Sequence, residues 1–250
     1  MSKNSKMEID VDGLYYRDLN RQMWQANLNG TKSFVLRNVC GQRYIGSQVY
    51  GDALIEIHGT PGNDLASFME GPTIVVHGNA EDAVGNTMNS GRVVVHGHAG
   101  DVVGFSMRGG ELYIKGNVGY RGAIHMKASL DKAPLMVVGG RARDFLGEYM
   151  AGGTLVVLGL GVPEDDSIVG RFAGTGMHGG VMFIHGTVEP HRLGAEVGEV
   201  KLTDDDRSLL AGVIDEYGRL FSADVSTLIP DGFTKYAPVT HRPYGKLYAY

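Results

Sequence analysis

Three histidines recur at equal intervals, and the imidazole ring is a common ligand of metal ions. His58, His77 and His96 each stand directly before a glycine, and 19 residues separate each from the next. On adjacent strands about 4.8 Å apart, two of the rings would be close enough to share a zinc ion. Lys115 occupies the same place one interval later, and a cation is unfavourable beside a bound metal. The spacing therefore favours an exposed ladder of rings over a metal centre.

Three aspartates recur in a second repeated word, and paired carboxylates are the acid–base groups of enzymes that cleave glycosidic bonds. The word appears as "DAVGNTMNSG", "DVVGFSMRGG" and "DFLGEYMAGG", and it begins with Asp82, Asp101 or Asp144. A polysaccharide-cleaving site would need carboxylates at facing positions on neighbouring coils. A short carboxylate repeated at one corner is instead typical of a side chain that accepts backbone N–H groups. We therefore predict a structural role for these aspartates.

Two further features invite a chemical interpretation. The stretch "GTGMHG" (174–179) has the Gly-x-Gly-x-x-Gly spacing of a dinucleotide site, which needs a helix after it to hold the pyrophosphate. The residues that follow, "GVMFIHG", have the pattern of a strand instead. Cys40 is the single cysteine, and with no histidine beside it in sequence we predict a structural thiol. The sequence thus predicts no catalytic residue, no metal site and no cofactor bound by this chain.

The elements that would position these residues follow from one repeat. Its closing glycines are Gly59, Gly78, Gly97 and Gly116, at intervals of 19, followed by Gly139, Gly159 and Gly186. Two apolar columns precede them, four and two residues before each glycine: Ile55, Ile74, Val93, Leu112, Leu135, Leu155, Met182; and Ile57, Val76, Val95, Ile114, Val137, Val157, Ile184. An apolar spacing of two is that of a strand with one buried face. We predict an all-β fold, a right-handed parallel β-helix of about seven coils.

A third column lies between the strands and contains small residues. It holds Ala66 or a glycine (Gly85, Gly104, Gly147, Gly170), and a methionine follows three residues later or, for Gly170, after a two-residue stretch. The methionines are Met69, Met88, Met107, Met126, Met150 and Met177. We predict that they pack in the core, because thioethers fill irregular gaps. Arg92 and Glu111 share another column and predict an ion pair between neighbouring coils.

The two ends of the chain have a different pattern. The segment "YYRDLNRQMWQANLNG" (15–30) predicts a helix, and Thr203 with Asp206 predicts the start of a second one. Its predicted apolar stripe is Leu209, Leu210, Val213, Ile214, Tyr217 and Phe221. We expect the helices to cover the open coils and the last segment, "FTKYAPVTHRPYGKLYAY", to lie along a partner or a helix surface. The predicted divisions are 1–40 (N-terminal cap), 41–200 (β-helix) and 201–250 (helix and tail).

The composition excludes several classes of protein. The net charge of −5 gives no electrostatic attraction to nucleic acid or to an anionic membrane. No apolar run approaches the ~18 residues of a membrane span, and the polar start "MSKNSKMEID" is unlike a secretory signal. We predict a cytoplasmic protein. Glycine is the one enriched residue type, 38 of 250, which predicts many tight turns with positive φ.

The glycine-rich words resemble those of a known family. "GQRYIG", "GHAGDVVG" with Gly97, Gly100 and Gly104, and above all "GEYMAGGTLVVLG" are similar to the C-terminal β-helix domain of the glutamate synthase large subunit. The most specific word comprises Glu148, Tyr149, Met150, Gly152 and Gly153. The resemblance covers residues 41–186. Other coils depart from the signature: Glu81 replaces its middle glycine, and Ala66 and Ala123 replace its last one. The helix after Thr203 and the tail "HRPYGKLYAY" resemble the form in which this domain is a separate subunit.

The resemblance implies a subunit that is not itself catalytic. In that family, glutamine is hydrolysed on an amidotransferase domain, and FMN and an iron–sulfur cluster are bound by the central and synthase domains. This chain would act as a scaffold that holds an amidotransferase subunit and an FMN-binding synthase subunit together, so that ammonia reaches 2-oxoglutarate. The resemblance is compatible with a homo-oligomer. The glycine-rich β-helix subunit of formylmethanofuran dehydrogenase and a methylglutamate synthase subunit are similar alternatives. An independent carbohydrate-active β-helix enzyme or a general interaction module belongs to another class.

Overall fold

The computed structural model describes residues 6–129, 132–163 and 165–239. Within these ranges, one eleven-stranded sheet accounts for every named strand. The strands are β1 Lys6–Asp10, β2 Ser33–Cys40, β3 Leu54–Thr60, β4 Thr73–Val76, β5 Arg92–Val95, β6 Glu111–Ile114, β7 Leu135–Val138, β8 Ala151–Val157, β9 Gly179–His185, β10 Val197–Val200 and β11 Phe233–Pro238. The α-helices are α1 Tyr16–Leu28 and α2 Asp204–Phe221. Neither described helix is both long and apolar enough to cross a membrane.

Strands β3 to β9 stack in chain order as a parallel β-solenoid of about six turns, which confirms the predicted fold class. Val76 pairs directly with Val95, and Val95 pairs with Ile114. All three side chains are fully buried. The constant interval of 19 residues lets every strand repeat the pairing of the one before it, so the apolar columns form one continuous core.

The predicted register is wrong by one residue at β7. Leu112 pairs with Met136 and Ile114 with Val138, so Leu135 and Val137 face outwards. The glycine that closes this coil is Gly140, whose N–H donates to the Gly116 carbonyl at 2.9 Å. The sequence "LMVV" is apolar at all four positions. It therefore has no alternation that would reveal which residues face the core.

The small-residue column also differs from the prediction at one place. The N–H of Gly174, not of Gly170, donates to the Leu146 carbonyl at 2.7 Å, as Gly147 does to Gly122 one coil earlier. Met177 follows Gly174 by three residues, so no stretch is needed. All six methionines of the column are at most 1% exposed, which confirms their place in the core.

Both predicted helices exist, and Thr203 and Asp206 form a complete capping box. Helix α1 buries Leu19 and Met23 in the solenoid core. The prediction that helix α2 covers an open end of the solenoid is wrong. The helix lies on the outer face of the sheet. Its buried side chains pack on a second apolar column comprising Val94, Tyr113, Val137, Val156 and Phe183. Leu209 belongs to the predicted apolar stripe but is 40% exposed, so this part of the prediction is wrong.

The C-terminal end of the sheet is closed by strands rather than by a helix. Strand β11 pairs antiparallel with β9 on one side and with β10 on the other. The segment that was expected to lie along a partner or a helix surface instead enters the sheet at residues 233–238. Lys235 Nζ donates to the Asp206 carboxylate at 2.8 Å, which links β11 to the start of α2. The end of that segment, "HRPYGKLYAY", lies outside the described residues.

Candidate functional site

The repeated aspartates stand at a corner of the solenoid and bind backbone, as predicted. Asp82 Oδ1 accepts the N–H of Asp101 at 2.8 Å, and Asp101 Oδ1 accepts the N–H of Tyr120 at 2.8 Å. Three residues earlier in each coil, a second column of side chains also accepts backbone N–H groups of the next coil. Asn79 accepts the N–H of His98, His98 that of Asn117, and Asn117 that of Arg141. In the aspartate column, Asp144 Oδ1 likewise accepts the N–H of Arg171 at 2.9 Å. These six bonds form a corner ladder in which each coil fixes the next.

The corner ladder explains the middle glycine of the family signature. A Cβ placed on each of three glycines would fall well under 3.0 Å from an aspartate carboxylate oxygen: Gly100 over Asp82, Gly119 over Asp101 and Gly170 over Asp144. Gly62 shares this column, and a Cβ there would instead meet the Gly41 carbonyl, while Glu81 and Arg143 occupy the column in two further coils. The residue beneath them at the aspartate position is Asn63 or Tyr120, whose side chains form no rung of the corner ladder. Glycine is therefore present where an aspartate lies below it.

The most specific family word has a buried half and an exposed half. Met150 is fully buried, and the Glu148 carboxylate is almost buried and paired with Arg121. The Arg121 guanidinium also lies over the Phe145 ring, 4.6 Å from its centre. Tyr149 is instead 40% exposed and has the left-handed φ of 52°. Its ring stacks on His125 with centroids 5.3 Å apart.

The remaining glycines of the family words mark close backbone approaches or left-handed backbone. A Cβ on Gly97 would meet the Asn79 side chain, and one on Gly152 would meet the backbone of Ala128. Gly104 and Gly153 have φ values of +71° and +88°. These positions hold the coils together and leave Tyr149 as the large side chain of the most specific word that faces outwards.

The histidine ladder is present. His58 and His77 stack with ring centroids 4.6 Å apart, His77 and His96 with centroids 5.5 Å apart, and Phe221 meets His96 edge-on at 5.1 Å. In the described part of the chain, no three His, Cys, Asp or Glu side chains form a group that could hold a metal ion. Burial, followed by the positive charge of neighbouring groups, lowers the pKa of both His58 and His96. His58 and His96 therefore favour the neutral form.

The lowered histidine pKa values predict that the protein loses stability as the pH falls. The unfolded chain binds protons at the ordinary histidine pKa, before His58 and His96 do in the folded protein, so acidification through about pH 6.5 favours unfolding. We expect the free energy of unfolding to fall from about pH 7.5 to about pH 5.5. Replacing both His58 and His96 by glutamine should reduce this dependence, measured by urea unfolding at each pH, and His185, whose pKa is also lowered by burial, should account for part of what remains. The control is His191→Gln, a ring that is 66% exposed, and an equal effect there would contradict the assignment.

Two other predicted features can now be placed. Gly179, the last residue of "GTGMHG", begins β9, so no helix N-terminus follows this glycine-rich stretch. The stretch forms a corner of the solenoid, as its strand-like continuation predicted. Cys40 ends β2 and its side chain is exposed. The prediction of a structural thiol is therefore wrong, because alternate residues of a strand face solvent.

A groove of about 590 Å³ lies between α1 and the first coils, and we call it the α1 groove. Its lining includes Arg17, Arg21, Trp24, Tyr44, Ser67 and Phe68. Sequence reasoning missed it. The available signal was Phe68, which occupies the repeat position held by Thr87 and Ser106 in the next coils. An apolar residue at an otherwise polar, outward position indicates a contact surface.

A second groove of about 620 Å³ lies beside Tyr149 and is basic. Its lining includes Arg108, Lys127, His125 and His178, and within the part of the chain that the structure describes no acidic residue lines it. Arg108 and Lys127 occupy the same position on successive coils. The grooves thus differ in character, since the α1 groove is mainly aromatic and the second is mainly cationic.

The comparison with known proteins agrees with this geometry. The sequence profile described as the GXGXG motif matches residues 17–241. The chain belongs to the GXGXG family. This is the family of the glutamate synthase C-terminal domain. Over 256 aligned residues the GXGXG chain is 46% identical to an uncharacterized protein of Methanocaldococcus jannaschii, and the alignment covers 99% of this chain and 98% of that protein.

The Arg121–Glu148 pair in the most specific GXGXG word yields a further prediction. Arg121→Ala would leave the Glu148 carboxylate, whose side chain is 10% exposed, without its cation. Because Arg121 itself is 43% exposed, we expect a loss of about 1–3 kcal/mol in the free energy of unfolding. The control is Arg141→Ala, which removes an exposed pair with Asp166 and should cost less than about 1 kcal/mol. Urea unfolding measures both, and equal losses would contradict the prediction.

Proposed function

We propose that this protein is a non-catalytic scaffolding subunit of a split, glutamine-dependent glutamate synthase-type oxidoreductase. Its partners would be a glutamine amidotransferase subunit and an FMN-binding synthase subunit that also carries the iron–sulfur cluster. Ammonia released on the first would be transferred to 2-oxoglutarate on the second. Membership of the GXGXG family over residues 17–241 is the observation that carries this proposal.

The use of the polar side chains supports a scaffold over an independent enzyme. Asp82, Asp101 and Asp144 are the stacked carboxylates that a carbohydrate-cleaving β-helix would use. Each accepts a backbone N–H of the next coil at 2.8–2.9 Å. An aspartate held in this way stabilises the coil stack and points its acceptor atom at backbone rather than at a substrate.

A scaffold requires rigidity, and the stacked coils provide it. The coils bond to their neighbours through the sheet, and those between Asn79 and Arg171 bond also through the corner ladder. Close packing transmits displacement rather than absorbing it. Such a body would hold two partners at a fixed separation, which is what transfer of a small, diffusible product between two sites needs. The exposed α1 groove offers a surface on which a partner can dock.

The test is purification of the tagged native chain from its own cells. We expect an amidotransferase subunit and a flavin-containing subunit in a fixed ratio, with the flavin visible by absorbance. Depletion of this chain should reduce glutamine-dependent glutamate formation, and adding it back should restore that activity. The partner and the acceptor that are recovered also separate this proposal from the formylmethanofuran dehydrogenase and methylglutamate synthase alternatives. Polysaccharide turnover by the isolated chain that is lost in Asp101→Asn would overturn it.

A further inference from the structure

The α1 groove contains two buried hydroxyl groups without a hydrogen-bond partner. Within the described residues, Ser47 Oγ and Ser67 Oγ are the only buried side-chain oxygen or nitrogen atoms with none. Ser67 is 1% exposed, and both serines line the same groove. Unpaired buried polar atoms are unfavourable. Neither hydroxyl would have to give up an existing bond to pair with a docked group.

The same groove exposes aromatic rings on unfavourable backbone. Tyr44 and Phe68 have positive φ values of 59° and 56°, a backbone conformation that bulky residues rarely adopt. Phe68 is 62% exposed, Tyr44 41% and Trp24 39%. Exposed rings gathered in one groove lose the stabilisation that burial would give them. Aromatic residues together with arginine are also the types that dominate the energy of protein interfaces.

The rim of the α1 groove is positively charged in a chain whose net charge is −5. Arg17 and Arg21 both line it, and none of the described residues that line it is acidic. The Arg17 Nε–H donates to the Tyr16 hydroxyl at 3.2 Å. Arg21 approaches the neighbouring Asp18 only to 3.9 Å, beyond hydrogen-bond distance. The guanidinium groups therefore retain donors for an acidic partner.

The walls of the groove are fixed before any partner arrives. Asn20 Nδ2 donates to the Arg43 carbonyl at 2.8 Å and ties α1 to the first coil. Asn27 Oδ1 accepts the N–H of Tyr50 at 3.0 Å at the other end of the helix. A preformed groove binds with a smaller loss of conformational entropy.

We infer that the α1 groove docks a segment of the FMN-binding partner subunit that presents an apolar side chain next to a carboxylate. The apolar side chain would pack between Trp24, Tyr44 and Phe68, and the carboxylate would bind Arg17 and Arg21. Backbone groups of the segment would pair with the hydroxyls of Ser47 and Ser67. This inference rests on the proposed function, because it names the surface on which that partner binds.

The experiment compares matched variants by their affinity for the purified FMN-binding subunit. Phe68→Asn removes the exposed ring, and asparagine tolerates positive φ, so folding is preserved. Its control is Phe172→Asn, another ring at positive φ (62°) that is 47% exposed. The charge variant Arg17→Glu/Arg21→Glu is matched by Arg108→Glu/Lys127→Glu in the basic groove. We expect the α1-groove variants to bind at least about tenfold more weakly and both controls to bind as the native chain does.

The outcomes separate this inference from the proposed function. If the native chain binds no FMN-containing subunit, the proposed function fails and the inference fails with it. If the native chain binds it and the α1-groove variants bind equally well, only the inference is overturned. Equal weakening by the two charge variants would show non-specific attraction and would also overturn it. A lower oligomeric state of the α1-groove variants in light scattering would assign the groove to a second copy of this chain instead.

Discussion

Gly100→Ala is expected to lower the free energy of unfolding by about 3 kcal/mol. The new Cβ would fall well under 3.0 Å from the Asp82 carboxylate. That carboxylate would have to move, and its bond to the N–H of Asp101, 2.8 Å long in the native protein, would be lost. The loss is large because the corner leaves no free space into which the coils can relax. Urea unfolding followed by circular dichroism measures it.

A double substitution identifies the cause of this loss. Asp82→Ala removes the carboxylate, so Gly100→Ala should cost at least about 1 kcal/mol less in that background. Gly212→Ala is a general control, because a Cβ at that exposed position of α2 meets nothing within 4 Å. It should stabilise the protein by up to about 1 kcal/mol, the helix propensity difference. Strict additivity of the Gly100 and Asp82 substitutions would show that the two residues do not share this corner.

Gly139→Ala is expected to loosen α2 from the sheet and to cost about 2–4 kcal/mol. The Tyr217 hydroxyl donates to the Lys115 carbonyl at 2.7 Å directly above Gly139. A Cβ on Gly139 would meet both of these oxygen atoms well under 3.0 Å. Burial raises the pKa of Tyr217 to about 12, so the hydroxyl remains a donor at neutral pH. Faster proteolytic cleavage within α2 would accompany the loss of stability.

A smaller substitution at the same contact provides the comparison for Gly139. Tyr217→Phe removes the hydroxyl and leaves the ring in its packing, so it should cost only about 1 kcal/mol. Combining it with Gly139→Ala should recover part of the loss, while the clash with the Lys115 carbonyl would persist. Full recovery would show that the tyrosine alone decides the fit. No loss in Gly139→Ala would mean that α2 does not lie as close to the sheet as the structure places it.

The solenoid was predictable because its chemistry repeats at a fixed interval. Val76, Val95 and Ile114 recur every 19 residues, and equal spacing leaves one in-register way to stack them. The alignment failed at Leu135, where an insertion precedes an apolar run without alternation. The prediction for α2 was wrong for the same physical reason, which is an apolar outer face of the sheet. The outer face of β5 to β9 is apolar, and the sequence repeat does not say that a helix covers it.

The candidate surfaces were less predictable than the fold. The side chains of the α1 groove come from α1 and from the first coils, and no periodic pattern connects Trp24 with Phe68. Whether Ser67 Oγ has a hydrogen-bond partner depends on which atoms lie within a few ångströms of it. The entry of residues 233–238 into the sheet depends equally on long-range pairing. None of these contacts can be predicted from residues that are close together in the sequence. The pairing of a glycine with the aspartate of the preceding coil can be predicted once the register is known.

The corner ladder has a direction. In all six of its bonds the side-chain acceptor belongs to the earlier coil and the N–H group to the later one, as from Asp82 to Asp101. A ribosome makes the chain from the N-terminus, so each acceptor is synthesised one coil before the amide that it will bind. The acceptor side chains that a new coil of the corner ladder needs are then already present in the coil before it. The protein can consequently assemble during translation by adding one layer at a time.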